Sequence, residues 1–255
     1  MSIKPIDLSR VRDLPLLASA SEESLSLIGQ GGFLQWTPKG AELVAEGEVN
    51  DFLYILLDGS VELEGTWGDR DSTLAVLRPL SSFVLASVVL EAPALMTART
   101  LARSQLLMIP GELFRRVIRQ DQGVSMAVIE ELSGCYSGLV RTIKSHKLRA
   151  PLVRLANYLL VQQSRQGGGG VLRLPLQKRM LASLLGMTPE NLSRSFAALA
   201  EHGVKVDGPL VTITRPAVLA RLAKPDPLID NPLPVAGALM GQAGRERAAH
   251  VEGHA

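Results

Sequence analysis

From Pro189 to Arg194 the chain reads PENLSR, which places a carboxylate (Glu190), a carboxamide (Asn191), a hydroxyl (Ser193) and a guanidinium (Arg194) close together. Such a set can read the edges of base pairs. A carboxylate accepts from a cytosine amino group, a guanidinium forks onto guanine, and a hydroxyl serves either a base or a phosphate. The residues ahead of them are those that start a helix: Thr188 as N-cap, Pro189 at the first position, where a missing N–H costs nothing, and Glu190 in the first turn. The same residues also suit a solvated helix surface on which Glu190 and Arg194 pair at i, i+4.

Two helices must position this set. Leu181, Leu184 and Leu185 give the first an apolar stripe, Leu192, Phe196 and Leu199 give the second another, and Gly186 with Thr188-Pro189 breaks the chain between them. Helices this short with one apolar face each must pack together, and a helix pair of this kind presents the start of its second helix to a major groove. GVKVDGPLVTIT follows as a hairpin with Asp207-Gly208 at its turn, a wing whose Lys205 can touch phosphate.

Charge is divided along the chain. Residues 1–120 hold 11 Lys and Arg against 15 Asp and Glu, a net of −4, whereas residues 171–224 hold 8 against 3, a net of +5. The basic part contains the helix pair, as expected of a module that meets double-stranded DNA. Cys135 is the one cysteine, which rules out intramolecular disulfides, a four-cysteine zinc site and an all-cysteine iron-sulfur cluster within one chain. No stretch is long and apolar enough to span a bilayer, and MSIKPIDLSRVRD lacks an apolar signal core, so no membrane association is expected and the expected location is cytoplasmic.

Upstream the texture changes twice. Residues 1–30 read as mainly helical, with Leu14, Leu16, Leu17, Leu25 and Ile28 as anchors. From Phe33, short alternating runs between Pro38-Lys39-Gly40, Glu46-Gly47-Glu48 and Asp58-Gly59 predict an antiparallel roll, continued by strands near 73–78 and 98–109 around a helical interlude. A long helix is expected over about 123–146. On it Val128, Leu132, Cys135 and Leu139 have the spacing of a coiled-coil seam, while Ile129, Tyr136, Val140 and Ile143 form a second apolar face. The first face is the expected dimer interface and the second the expected cover for the roll; a helix buried within a monomer would carry the same pattern. The domains read as a sensor roll over 1–122, a dimerisation helix over 123–148, a winged helix-turn-helix over 149–224 and a disordered tail over 225–255, an α+β chain.

KGAELVAEGEVNDFLYILLDGSVEL, residues 39–63, resembles the first half of a cyclic-nucleotide-binding β-roll, with Gly40, Gly47-Glu48, Tyr54-Ile55 and Gly59 at turn and core positions. Together with the helix pair, residues 12–222 resemble the Crp-Fnr transcription regulators, and E-x-x-S-R as it stands in Glu190, Ser193 and Arg194 is similar to the Fnr-like branch. The resemblance implies a homodimer reading inverted TTGAT-type half-sites, the long helix as its interface, and activation through RNA polymerase. Pro189 departs from the commoner residue before the glutamate, which puts the outermost base preference in question.

In the resembling family a Gly-Glu helix start and an Arg-Ser or Arg-Thr hold the cyclic nucleotide. Here Leu85-Ala86 and Met96-Thr97 align with them, leaving a phosphate against apolar side chains, although Arg99 could point the same way as Thr97 along a strand. Leu85, Val88, Val89 and Met96 suggest an apolar effector pocket instead. Some relatives of that kind bind haem, for which Met96 and Cys135 are the available ligands, while an Fnr-type iron-sulfur cluster lacks its cysteine set. Two competing functions are a sensor acting on protein partners and an enzyme. The charge split argues against the former, and paired carboxylates, metal-spaced His/Cys clusters and a G-x-S-x-G elbow are missing for the latter, so no catalytic residues and no metal site are expected.

Overall fold

The computed structural model describes residues 12–230. Helix α1 (Glu22–Gly31) is followed by eight strands: β1 (Phe33–Thr37), β2 (Glu42–Val44), β3 (Phe52–Asp58), β4 (Val61–Trp67), β5 (Arg70–Leu77), β6 (Ser81–Phe83), β7 (Thr97–Thr100) and β8 (Ser104–Pro110). Helix α2 (Leu85–Leu90) interrupts them between β6 and β7. They form two antiparallel four-stranded sheets, β1-β8-β3-β6 and β2-β7-β4-β5, which is the roll expected from the alternating runs.

Strand alternation builds two cores from one sheet. On β3, Tyr54 and Leu56 point between the sheets, where they meet Val61, Leu63, Leu77, Phe83 and Ala98. Leu53 and Ile55 point the other way, into a helical layer with Leu25, Ile28, Phe114 and Val117. That layer comprises α1, α2, α3 (Gly111–Gln120) and the start of α4 (Gln122–Leu148). One carboxylate ties it together: Asp121 caps α4 by accepting from Val124 N–H at 3.1 Å and also accepts from the main-chain N–H and the hydroxyl of Ser21, the N-cap of α1, at 2.8 Å each. The Ser24 hydroxyl, with those donors, holds the Asp121 carboxyl well below the usual carboxylate range.

The α4 helix covers the roll with Val124, Val128 and Glu131, so the expected seam is divided: Val128 turns to the roll, while Leu139 stays on the outward face. Val128 is buried in the sensor's helical core, so it is not a seam residue. Leu132 and Cys135 are half-buried, Leu132 against that same core. The outward face carries Ile129, Tyr136, Leu139, Val140 and Ile143, all exposed in the single chain. Ile129, Leu132, Tyr136, Leu139 and Ile143 step by three and four, so the outward face is itself a heptad stripe.

The head begins with α5 (Pro151–Arg165) and β9 (Val171–Arg173), continues with α6 (Lys178–Leu184) and α7 (Pro189–Leu199), and ends with the hairpin β10 (Val204–Asp207) and β11 (Leu210–Ile213) and helix α8 (Pro216–Ala223). Its core, with Leu155, Leu159, Leu181, Leu192, Phe196, Leu199, Val211 and Leu219, is separate from both sensor cores. The expected tail does not begin at 225: Pro227–Asp230 form a helical turn, α9, and Asp230 takes a two-pronged ion pair from Arg149 at 2.6 Å on each arm. The rest of that segment lies outside the described residues, as do the first eleven residues of the expected N-terminal helix.

Candidate nucleic-acid interface and sensor interior

The helix pair is held by its turn. Gly186 adopts φ +61, a left-handed conformation that a side chain resists, and a Cβ there would lie 3.1 Å from the His146 ring. Two residues later the Thr188 hydroxyl accepts from Asn191 N–H at 3.3 Å, with Pro189 in the first turn of α7. The start of the second helix is therefore fixed at both its turn and its cap.

Leu192, Ser195, Phe196 and Leu199 face the head core, which leaves Glu190, Ser193 and Arg194 exposed and Asn191 half-exposed. Arg194 donates to Asn191 Oδ1, and the Ser193 hydroxyl donates to Pro189 O at 3.0 Å. The Glu190 carboxyl sits below its ordinary range because its own main-chain N–H, then the Thr188 hydroxyl and Arg194, favour the charged form. It is thus an ionised acceptor, the form that meets a cytosine amino group. Lys205 lies exposed on β10 opposite Thr212 of β11, and Gly208 takes φ +56 in the wing's turn.

The sensor residues named from the sequence do not share one pocket. Leu85 and Val88 are buried in the helical layer, with Val89 packed against it, whereas Met96 packs against the core between the sheets. Thr97 and Arg99 alternate with buried Ala98 and Thr100 and turn away from that core. Arg99 pairs with Glu42 at 2.8 Å and Glu64 at 3.9 Å, and the Thr97 hydroxyl accepts from Glu46 N–H at 3.1 Å. The left-handed residue at the start of α2 is Val84 (φ 57), so the glycine-favouring position falls there, one residue before the Leu85-Ala86 alignment. Met96 and Cys135 would be the ligands of a haem. However, Tyr54 and Phe83 stack at 5.1 Å inside the roll among packed aliphatic side chains, and a porphyrin would have to displace them. The residues present do not fit that group.

Two charged residues stand inside apolar stripes. Glu131 continues the buried series Val124 and Val128, is itself buried, and accepts from the Ser82 hydroxyl of β6; burial pushes its carboxyl up to about 7 despite that bond. Arg154 occupies a buried position beside Leu155 on α5. A charge on an apolar stripe was the signal available for both. Sensor and head also touch directly. Ser72 and Ser183 hydroxyls lie 2.8 Å apart, and Ser183 reaches Thr73 O at 3.3 Å.

A roll that gives rise to a long helix, which in turn carries a capped helix pair and a wing, defines a β-roll domain joined to a winged helix-turn-helix head. The sequence profile of the cyclic nucleotide-binding domain matches residues 34–121, and that of the Crp-like helix-turn-helix domain matches residues 153–222. The chain belongs to the Crp-Fnr family of transcription regulators, which are DNA-binding regulators and not enzymes. It is similar to the CRP-like cAMP-activated global transcriptional regulator of Mycobacterium tuberculosis, 27% identical over 199 residues that cover 73% of this chain and 86% of that protein. It is also similar to the nitrogen fixation regulation protein FixK of Rhizobium meliloti, 27% identical over 195 residues, 72% of this chain and 83% of that one. Among solved structures, a CooA mutant from Carboxydothermus hydrogenoformans shares the fold with a TM-score of 0.68 at 17% identity, covering 87% of this chain and 98% of that one. No helix among the described residues is long and apolar enough to cross a membrane.

Proposed function

We propose that this regulator acts as a homodimer that reads inverted TTGAT-type half-sites through Glu190, Ser193 and Arg194, and that its sensor answers to a small molecule or gas other than cyclic AMP. The observation that carries the reading is the capped start of α7, whose polar residues are exposed while its apolar stripe is spent on the head core. The exposed heptad stripe of α4 supports the dimer, since apolar side chains at that spacing bury themselves against a second helix. The outward turn of Arg99 onto Glu42 supports the exclusion of cyclic AMP: a phosphate brought to Met96 would lack a cation, and an unpaired buried charge costs on the order of 3–5 kcal/mol.

The test is fluorescence anisotropy with a duplex carrying inverted TTGAT half-sites against a scrambled duplex, over a salt series, with and without cyclic AMP, and with haem under nitric oxide. Selective binding unaffected by cyclic AMP is expected. Glu190→Ala and Arg194→Ala should each cost about 1–3 kcal/mol on the specific duplex and relax its preference over the scrambled one. Equal binding to both duplexes by the unmodified protein would end the half-site assignment, and a rise in affinity with cyclic AMP would end the exclusion.

A further inference from the structure

We infer that Arg154 is the positioning residue that fixes the two recognition helices at one spacing. The inference rests on the proposed dimer on an inverted site and adds a cause for its geometry. Arg154 is buried, and its guanidinium donates to four main-chain carbonyls: Nε to Leu185 O at 2.8 Å, Nη2 to Gly186 O at 3.0 Å, and Nη1 to Arg149 O at 2.8 Å and, more weakly, to His146 O at 3.4 Å.

These acceptors belong to two helix ends. His146 and Arg149 close α4, while Leu185 and Gly186 close α6. The last carbonyls of a helix lack intrahelical partners and carry the negative end of its dipole, so two such ends would repel each other if nothing stood between them. A guanidinium has five donors in a rigid fork and serves both ends at once; an ammonium is a point charge and cannot span them.

Two further contacts lock the same joint. The His146 ring packs on Gly186, and Arg149 clamps Asp230 of α9. Gly186 is two residues before the Thr188 cap, so where Arg154 holds Gly186, it also sets where α7 begins. In a dimer built along α4, any error at this joint is applied twice, once on each side of the symmetry axis. The break around Arg149-Ala150-Pro151 is therefore a fastened elbow, and the residue fastening it lies on the far side of the break.

The experiment compares the full-length protein with Arg154→Lys and Arg154→Gln on inverted duplexes with the preferred spacer and with one base pair added or removed, and on a single half-site. One base pair turns a half-site by roughly 35° about the axis, so the unmodified dimer should prefer its own spacing by about tenfold or more. Both variants should reduce that preference to about twofold, while single half-site affinity, selectivity over a scrambled half-site and dimer mass stay within about threefold. If Arg154 variants do not fold, His146→Ala, which loosens the same joint from the other side, should weaken the spacing preference in the same sense. Retention of the full spacing preference by the variants would overturn the inference. So would a parallel loss on every duplex including the single half-site, which would reduce Arg154 to a stabiliser of the head. If the unmodified protein itself selected no spacing, the operator reading would fall and this inference with it.

Discussion

Glu131 is where a single side chain ties the sensor to the helix that leaves it. It is buried on α4 against Ser82 of β6, and burial lifts its carboxyl to about 7. An acid with a raised folded-state value binds its proton more readily in the folded than in the unfolded chain, so the folded state holds more protons between the ordinary carboxylate range and about pH 7. Stability attributable to this residue therefore falls as pH rises through that window. Glu131→Gln keeps a polar group at Ser82 and cannot ionise. At pH 8 it should be more stable than the unmodified protein by on the order of 3 kcal/mol, with the two nearly equal near pH 4.5, as read from urea midpoints at each pH. A constant difference across that range would mean that Glu131 does not titrate with folding.

Among elements, α4 carries the heaviest load because both of its sides are apolar. Val124 and Val128 close the sensor core, and Ile129, Tyr136, Leu139 and Ile143 face outward. Leu139→Glu and Ile143→Glu should each yield a folded monomer by light scattering, because their charges go to a surface that is wet in the single chain. Val128→Glu should instead cost at least about 3 kcal/mol of stability, because it places a charge among packed aliphatic groups. The reverse pattern would return the seam to Val128 and Cys135. The spacing of both stripes was legible in the sequence, but which one faces the roll was not, because Val, Ile and Leu at steps of three and four look the same whether they cover a core or await a partner. The helix pair was read more securely: Gly186, Thr188 and Pro189 each have a local reason to stand where they do, and local reasons survive without knowledge of the tertiary structure. The sensor pocket was the least legible part. Leu85, Val88 and Met96 are the residue types that line an apolar pocket and equally those that fill a core, and only the two-sidedness of β3 and its neighbours separates them.

For the whole molecule the governing quantity is the partition of charge, −4 over residues 1–120 against +5 over residues 171–224. The sensor repels a duplex that the head attracts, so an approaching polyanion is steered toward the heads, with a reach set by a Debye length of about 8 Å at physiological salt. Ser72 and Ser183 bring the edge strand β5 up to α6. Affinity should then fall steeply with salt, and its slope should report how many phosphates the proposed dimer neutralises. Lys205 stands exposed on the wing with no base-reading residue beside it on β10, which suits it to a phosphate contact rather than a base contact. Lys205→Ala should weaken specific and scrambled duplexes by the same factor and make the slope of log K against log salt shallower by about 2, one unit for each head of the proposed dimer. Arg194→Ala should do the opposite, removing preference between duplexes while changing the slope little beyond the loss of its own charge. If both variants altered slope and preference together, the wing and the recognition helix would be reading the same part of the site, and phosphate positioning and base reading would not be separate tasks of this head.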